Sequence, residues 1–107
     1  MDVLESISRA LKSLQFHQSE MKIYRILHER GEMTVKEIAE ELQLSTRIVR
    51  MRLKRLLKEG FVRRRIVEKG WIGYAYTAEK PEEVIKKMKD KLHKVISNLE
   101  KLMEKNV

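Results

Sequence analysis

Six cations crowd the segment STRIVRMRLKRLLKEG at 45–60: Arg47, Arg50, Arg52, Lys54, Arg55 and Lys58, interleaved with six aliphatic side chains. Guanidinium groups offer planar, forked donors that match phosphate oxygens or the O6/N7 edge of guanine, so this chemistry is recognition of a polyanion. No rival chemistry is visible. His17, His28 and His93 are scattered, with no carboxylate cluster at metal-ligand spacing and no nucleophile–base pairing, and each reads as a surface or capping residue. Gly60, Gly70 and Gly73 make no phosphate-binding fingerprint. With no cysteine, thiolate metal sites, disulfides and thiol catalysis fall away together. The expectation is a binding protein and not an enzyme, with no cofactor and no metal.

The charge is unevenly placed. Residues 1–43 carry six Lys/Arg against eight Asp/Glu, residues 44–77 ten against two, and residues 78–107 eight against six. The middle third thus holds an excess of +8, equal to the net charge of the whole chain. A cationic stretch almost without compensating acids is the footprint of a polyanion binder.

A chain of 107 residues suggests one small domain, and 42% hydrophobic residues suffice for a modest core. No apolar run approaches the roughly 18 residues of a membrane span, and MDVLESISRA does not resemble a signal peptide. A soluble cytoplasmic protein without membrane association is expected.

Hydrophobic periodicity places the elements. Val3, Leu4, Ile7, Ala10, Leu11 and Leu14 recur at helical spacing. A second helix is expected from about Gln18 to Arg30, with Met21, Ile23, Tyr24, Ile26 and Leu27 inward and Gly31 as a left-handed terminator. TVKEIAEEL opens with a capping box between Thr34 and Glu37, and Ser45 can cap the following helix, which stops at Gly60. Two helices joined by so short a turn form a helix-turn-helix. The period then becomes extended: FVRRRIV and YAYTA flank the turn EKGWIG, a β-hairpin. Pro81 suits the first turn of a last helix reaching about Lys105.

At 100° per residue, Val49, Leu53 and Leu56 share one side of the 45–58 helix, with Leu57 at its edge. Arg47, Met51, Lys54 and Lys58 lie opposite, flanked by Arg50 and Arg55. One face packs and the other is free to enter a major groove about 12 Å wide. The candidate DNA-binding residues are Ser45, Thr46, Arg47, Arg50, Met51, Lys54 and Arg55, joined by Arg63, Arg65 and Lys69 of a basic wing. Ile48 and Met51 are suited equally to a thymine methyl and to the core edge, and Arg52 is expected to be structural. Strand alternation puts Arg63 and Arg65 on one face and Arg64 on the other. Trp71 can lie along a sugar-phosphate backbone or shield a junction with a terminal helix, with packing favoured. Tyr74 and Tyr76 are expected at the core or its edge.

Residues 15–85 resemble the winged helix-turn-helix domain of TrmB-like archaeal transcription regulators and, more distantly, MarR-type repressors. The resemblance is carried by SEMKIYRILHERGEMTVKEIAEELQLSTRIVRMRLKRLLKEGFV, a basic hairpin, and YTAEKPEEVIKKM. It implies a recognition helix at 45–59 and a wing at 63–76. Many members have a tyrosine where this chain has Arg50, so no operator preference carries over. Sugar-responsive members add a C-terminal ligand-binding domain, absent from these residues, so the resemblance implies no sugar sensing here, and any small-molecule effector is unknown.

From Ile85 the apolar residues Ile85, Met88, Leu92, Val95, Leu99 and Leu102 alternate gaps of three and four, a heptad seam expected to pair two copies. Lys86, Lys87, Lys94 and Lys101 are expected to face away from it. The fold class expected is therefore mainly α with a small β-hairpin. It comprises an N-terminal helix (1–15), a winged-helix core (16–78) and a coiled-coil-like dimerisation helix (81–106). The function expected is a homodimeric regulator binding double-stranded DNA. A winged-helix protein-interaction scaffold in the transcription machinery is the alternative, and RNA binding a weaker third.

Overall fold

The computed structural model describes residues 2–68 and 70–105. Five helices and three strands follow in the order α1 (Val3–Leu14), α2 (Gln18–Arg30), β1 (Met33–Thr34), α3 (Val35–Leu42), α4 (Thr46–Glu59), β2 (Val62–Glu68), β3 (Ile72–Ala78) and α5 (Pro81–Lys105). The fold is the winged helix-turn-helix expected, with one addition. Met33 and Thr34 pair antiparallel with Tyr76 and Ala75, making a three-stranded sheet of order β1-β3-β2 instead of a lone hairpin. Two residues are too few to show a period of two, so nothing in the sequence marked β1.

Local chemistry fixes the helix ends. The Thr34 hydroxyl accepts from the Glu37 amide at 3.3 Å while the Glu37 carboxylate accepts from the Thr34 amide at 3.0 Å, the expected capping box. A second box opens α2: Nδ1 of His17 accepts from the Ser19 amide at 3.1 Å, and the Glu20 carboxylate accepts from the His17 amide. Gly31 adopts φ 84°, ψ −154°, a conformation all but closed to other residues and not the left-handed helical one expected. Between α3 and α4 the chain turns through Gln43 at φ 54°, ψ 45°, and the Leu44 amide donates to the Ala39 carbonyl at 3.0 Å.

The core gathers α2, α3, α4 and the sheet around Ile23, Leu27, Ile38, Val49, Leu53 and Leu56, each at most 1% exposed. Met21 departs from expectation: it is exposed, on the outer face of α2. Tyr24 spans α2 to the end of β3, donating to the Glu79 carbonyl at 2.7 Å. Burial, then the Glu82 and Glu79 carboxylates, push its phenol above the usual value.

Neither α1 nor α5 contains a buried residue. The two pack on each other and extend the molecule to 61 × 26 × 21 Å. Lys87, off the heptad seam, meets the winged helix: it donates to the Gly60 carbonyl at 2.6 Å, and a Cβ at Gly60 would come within 2.9 Å of its Nζ. Gly60 therefore serves twice, supplying φ 75° at the α4 terminus and leaving room for that lysine.

Replacing the capping hydroxyl, Thr34→Ala, should lower unfolding free energy by about 1 kcal/mol in urea denaturation. Lys36→Ala, on the exposed side of the same helix, should stay within about 0.5 kcal/mol of the parent.

Candidate nucleic-acid interface

Helix α4 divides by direction as its sequence requires. Val49, Leu53 and Leu56 are 0%, 1% and 0% exposed. Ser45, Thr46, Arg47, Arg50, Met51, Lys54 and Lys58 are exposed, and Ile48 and Leu57 lie between. Ser45 accepts from the Ile48 amide at 3.1 Å, so its hydroxyl proton stays free to donate outward. The first-turn amides and the positive end of the helix dipole point the same way. Among the described residues, the ion pairs use none of Arg47, Arg50, Lys54 or Lys58.

The other expected cations need correction. Arg55 is not free to meet a partner: its guanidinium lies 3.4 Å from the buried Glu20 carboxylate, 3.3 Å from the Ser13 carbonyl and 4.3 Å from the Phe16 ring centroid. It sits at the edge of the packed arc, where a buried carboxylate draws it inward. Arg52 donates to the Ser19 hydroxyl at 2.9 Å, the structural role expected of it.

On the wing, alternation holds but its direction reverses the expectation. Arg65 makes a forked pair with Glu32 at 2.6 and 2.7 Å, and Arg63 reaches Glu79 at 3.1 Å. The Glu32 hydrogen bonds and charge raise the Arg65 pKa above its already high ordinary value. Arg64 instead pairs across the sheet with Tyr76, on the side that faces α4, and lies 4.0 Å over the Tyr74 ring. Lys69 falls outside the described residues.

An open cleft of about 1100 Å³ runs between α4 and the wing. Among the described residues its cations are Lys36, Arg50, Lys54, Lys58 and Arg64, and no described carboxylate lines it. Its floor is aromatic. Trp71 sits on its own hairpin, where a Cβ at Gly73 would fall 1.7 Å from the indole Cζ3, so only glycine leaves space for that ring. Tyr74 is exposed beside it and Tyr76 is buried, the edge and core positions expected. Arg64 and Trp71 thus line this cleft, although the sequence leaves Arg64 outside the candidate DNA-binding set and favours packing for Trp71. An alternating strand shows which residues share a face, but not which face meets the helix.

A family model described as the sugar-specific transcriptional regulator TrmB matches residues 11–82. The chain belongs to the TrmB family. No curated protein matches it. Among solved structures, a "possible transcriptional regulator" of Methanosarcina mazei Go1 superposes with a TM-score of 0.73 at 13% identity, covering 98% of this chain and 88% of that one. MarR superposes at 0.59 with 21% identity, over 97% of this chain and 77% of its own. FabT of Streptococcus pneumoniae, solved in complex with DNA, gives 0.57 at 19% identity, over 84% and 62%. At these identities the likeness establishes the winged-helix fold that the TrmB-family chain shares with them. No described helix is long and apolar enough to cross a membrane, and the described residues hold no metal-ligating cluster.

Arg55→Ala would strip the buried Glu20 carboxylate of its cation and should destabilise the protein by on the order of 3 kcal/mol. Arg50→Ala should change stability by less than about 0.5 kcal/mol. Equal losses for the two in denaturant titrations would contradict the division of α4 into tied and free arginines.

Proposed function

We propose that this TrmB-family chain is a homodimeric, sequence-specific regulator that binds double-stranded DNA and blocks or aids polymerase near a promoter. One observation carries the reading: α4 is anchored by a buried aliphatic arc while Arg47, Arg50, Lys54 and Lys58 stand exposed and outside every described ion pair. Arg47 and Arg50 contact base edges, and Met51, 49% exposed, offers a methyl-sized apolar contact. Ser45 and Thr46 donate to a phosphate at the helix N-terminus. Lys54, Lys58 and Arg64 hold the backbone along the cleft. FabT, solved in complex with DNA, supports this use of the fold.

Dimerisation is supported by the terminal helices. Of the fifteen exposed large hydrophobic residues described, nine lie on α1 and α5: Leu4, Ile7, Leu11, Leu14, Ile85, Met88, Leu92, Ile96 and Met103. Val95, Leu99 and Leu102 are half-buried where α1 lies on α5, and the rest of the heptad face is uncovered. A second copy is the occupant a heptad repeat suits, because the same face serves both partners of a two-fold pair. Two recognition helices so joined would meet half-sites about 34–36 Å apart.

Duplex affinity should fall steeply with salt. Arg64→Ala should reduce the log–log slope by about 0.9, one phosphate contact, while Arg65→Ala leaves it unchanged. A parent slope near zero would favour the protein-interaction scaffold instead. Arg47→Ala should cost about 1–3 kcal/mol at one base pair and relax specificity there, read by selection from a random duplex pool. Leu92→Asp should sediment as a monomer; an undiminished mass would show that the seam closes within one chain.

A further inference from the structure

The contacts that fasten the α1/α5 pair to the winged helix converge on one ring. Phe16, in the linker between α1 and α2, stacks on Phe61 with centroids 5.2 Å apart and planes at 21°. The Arg55 guanidinium of α4 lies 4.3 Å from the Phe16 centroid and also reaches Ser13 and Glu20. Lys91 of α5 stands 5.7 Å from the same ring and pairs with Glu59, the last residue of α4, at 2.6 Å. One turn earlier, Lys87 donates to the Gly60 carbonyl. The C-terminal end of the recognition helix is thus held by the α1–α2 linker and by α5 together.

We infer that this joint sets the angle between the α1/α5 stalk and α4, and with it the separation of DNA half-sites that the dimer accepts. The inference rests on the dimeric, DNA-binding reading above. Apolar burial is non-directional, and of the partly buried apolar side chains of α5, Val84 is the one packed against the main core cluster. The angle is therefore left to directional contacts: the ring stack, the guanidinium on its face, and the two lysine hydrogen bonds. Glu20 stiffens the arrangement. It is 1% exposed, its Oε2 has no partner among the described residues, and Arg55 is the cation beside it. Arg55 swinging away would leave that carboxylate buried and uncompensated.

Leverage makes the angle matter. A 25-residue helix is about 37 Å long, so a tilt of about 10° at the joint moves its far end by about 6 Å. That is nearly two base-pair steps of about 3.4 Å. Phe16, Arg55, Lys87 and Lys91 are on this account positioning residues, which need no contact with DNA to decide which sites fit.

The test uses duplexes carrying the selected half-site as an inverted pair, with the spacer varied one base pair at a time through a full turn, beside a single half-site. The parent chain should prefer one spacing by about tenfold or more over its neighbours, because each added pair both lengthens and rotates the site. The double variant Lys87→Ala/Lys91→Ala, and Phe16→Leu, should flatten that preference to within about threefold while single half-site affinity stays within about twofold. Sedimentation and circular dichroism establish that each variant is dimeric and folded. Should Phe16→Leu not fold, the lysine variant decides, since it leaves the ring stack and the core untouched. A folded, dimeric lysine variant with the parent's spacing profile would overturn the inference. So would a parent that binds every spacing alike, or variants that lose single half-site and paired-site affinity equally. A parent that stays monomeric or ignores duplex DNA overturns the reading beneath it, an outcome distinct from an unchanged profile.

Discussion

Burial of one arc of α4 is the constraint on which the molecule depends. Val49, Leu53 and Leu56 are each almost wholly removed from water, an exchange worth about 1.5–3 kcal/mol per side chain. Because they sit at one angular position, that burial fixes how α4 is rotated about its own axis. Rotation decides everything else about the helix: which cations reach solvent, which meet the protein's own acids, and which edge borders the wing. A helix with the same composition in another order would satisfy neither requirement.

Arginines of one chemical type have several fates here, and carboxylates mark most of the differences. Glu20 draws Arg55 inward, Glu32 captures Arg65 and Glu79 meets Arg63. No described carboxylate lines the cleft between α4 and the wing, where Arg50 and Arg64 lie. The exposed pairs contribute little stability in themselves. Their effect is one of arrangement, since neutralising the cations on the outer face of the wing leaves the uncompensated positive charge in the cleft. Tyr74 adds a further element: its ring carries the Arg64 guanidinium, holding the group's plane without neutralising it.

The terminal helices follow a different logic. In the winged helix a closed core sets orientation. In α1 and α5, half-covered apolar faces leave orientation to a handful of polar and aromatic contacts around Phe16. Gly60 connects the two regimes, because its missing Cβ lets Lys87 reach the end of α4. The molecule therefore joins a well-packed head to a lightly tethered, largely apolar stalk.

The sequence by itself determined the element types, most of their boundaries, and the two-faced nature of α4. Each of these follows from periods of 3.6 or 2 residues and from caps such as Thr34 and Ser45, which act over a few neighbouring positions. The resemblance to TrmB-like regulators was legible for the same reason, in the order of those elements. Only the tertiary structure decided which strand face meets α4, hence Arg64 in the cleft and Arg65 on Glu32. It also decided that Arg55 is bound to Glu20, that Met33 and Thr34 form a strand, and that Gly60 is the partner Lys87 meets. Arg64 apart, whose neighbours lie in the same hairpin and in α4, each of these pairs lies more than twenty residues apart in the chain. Local periodicity gives the angular position of a side chain on its own element, and the partner it meets depends on how distant elements pack.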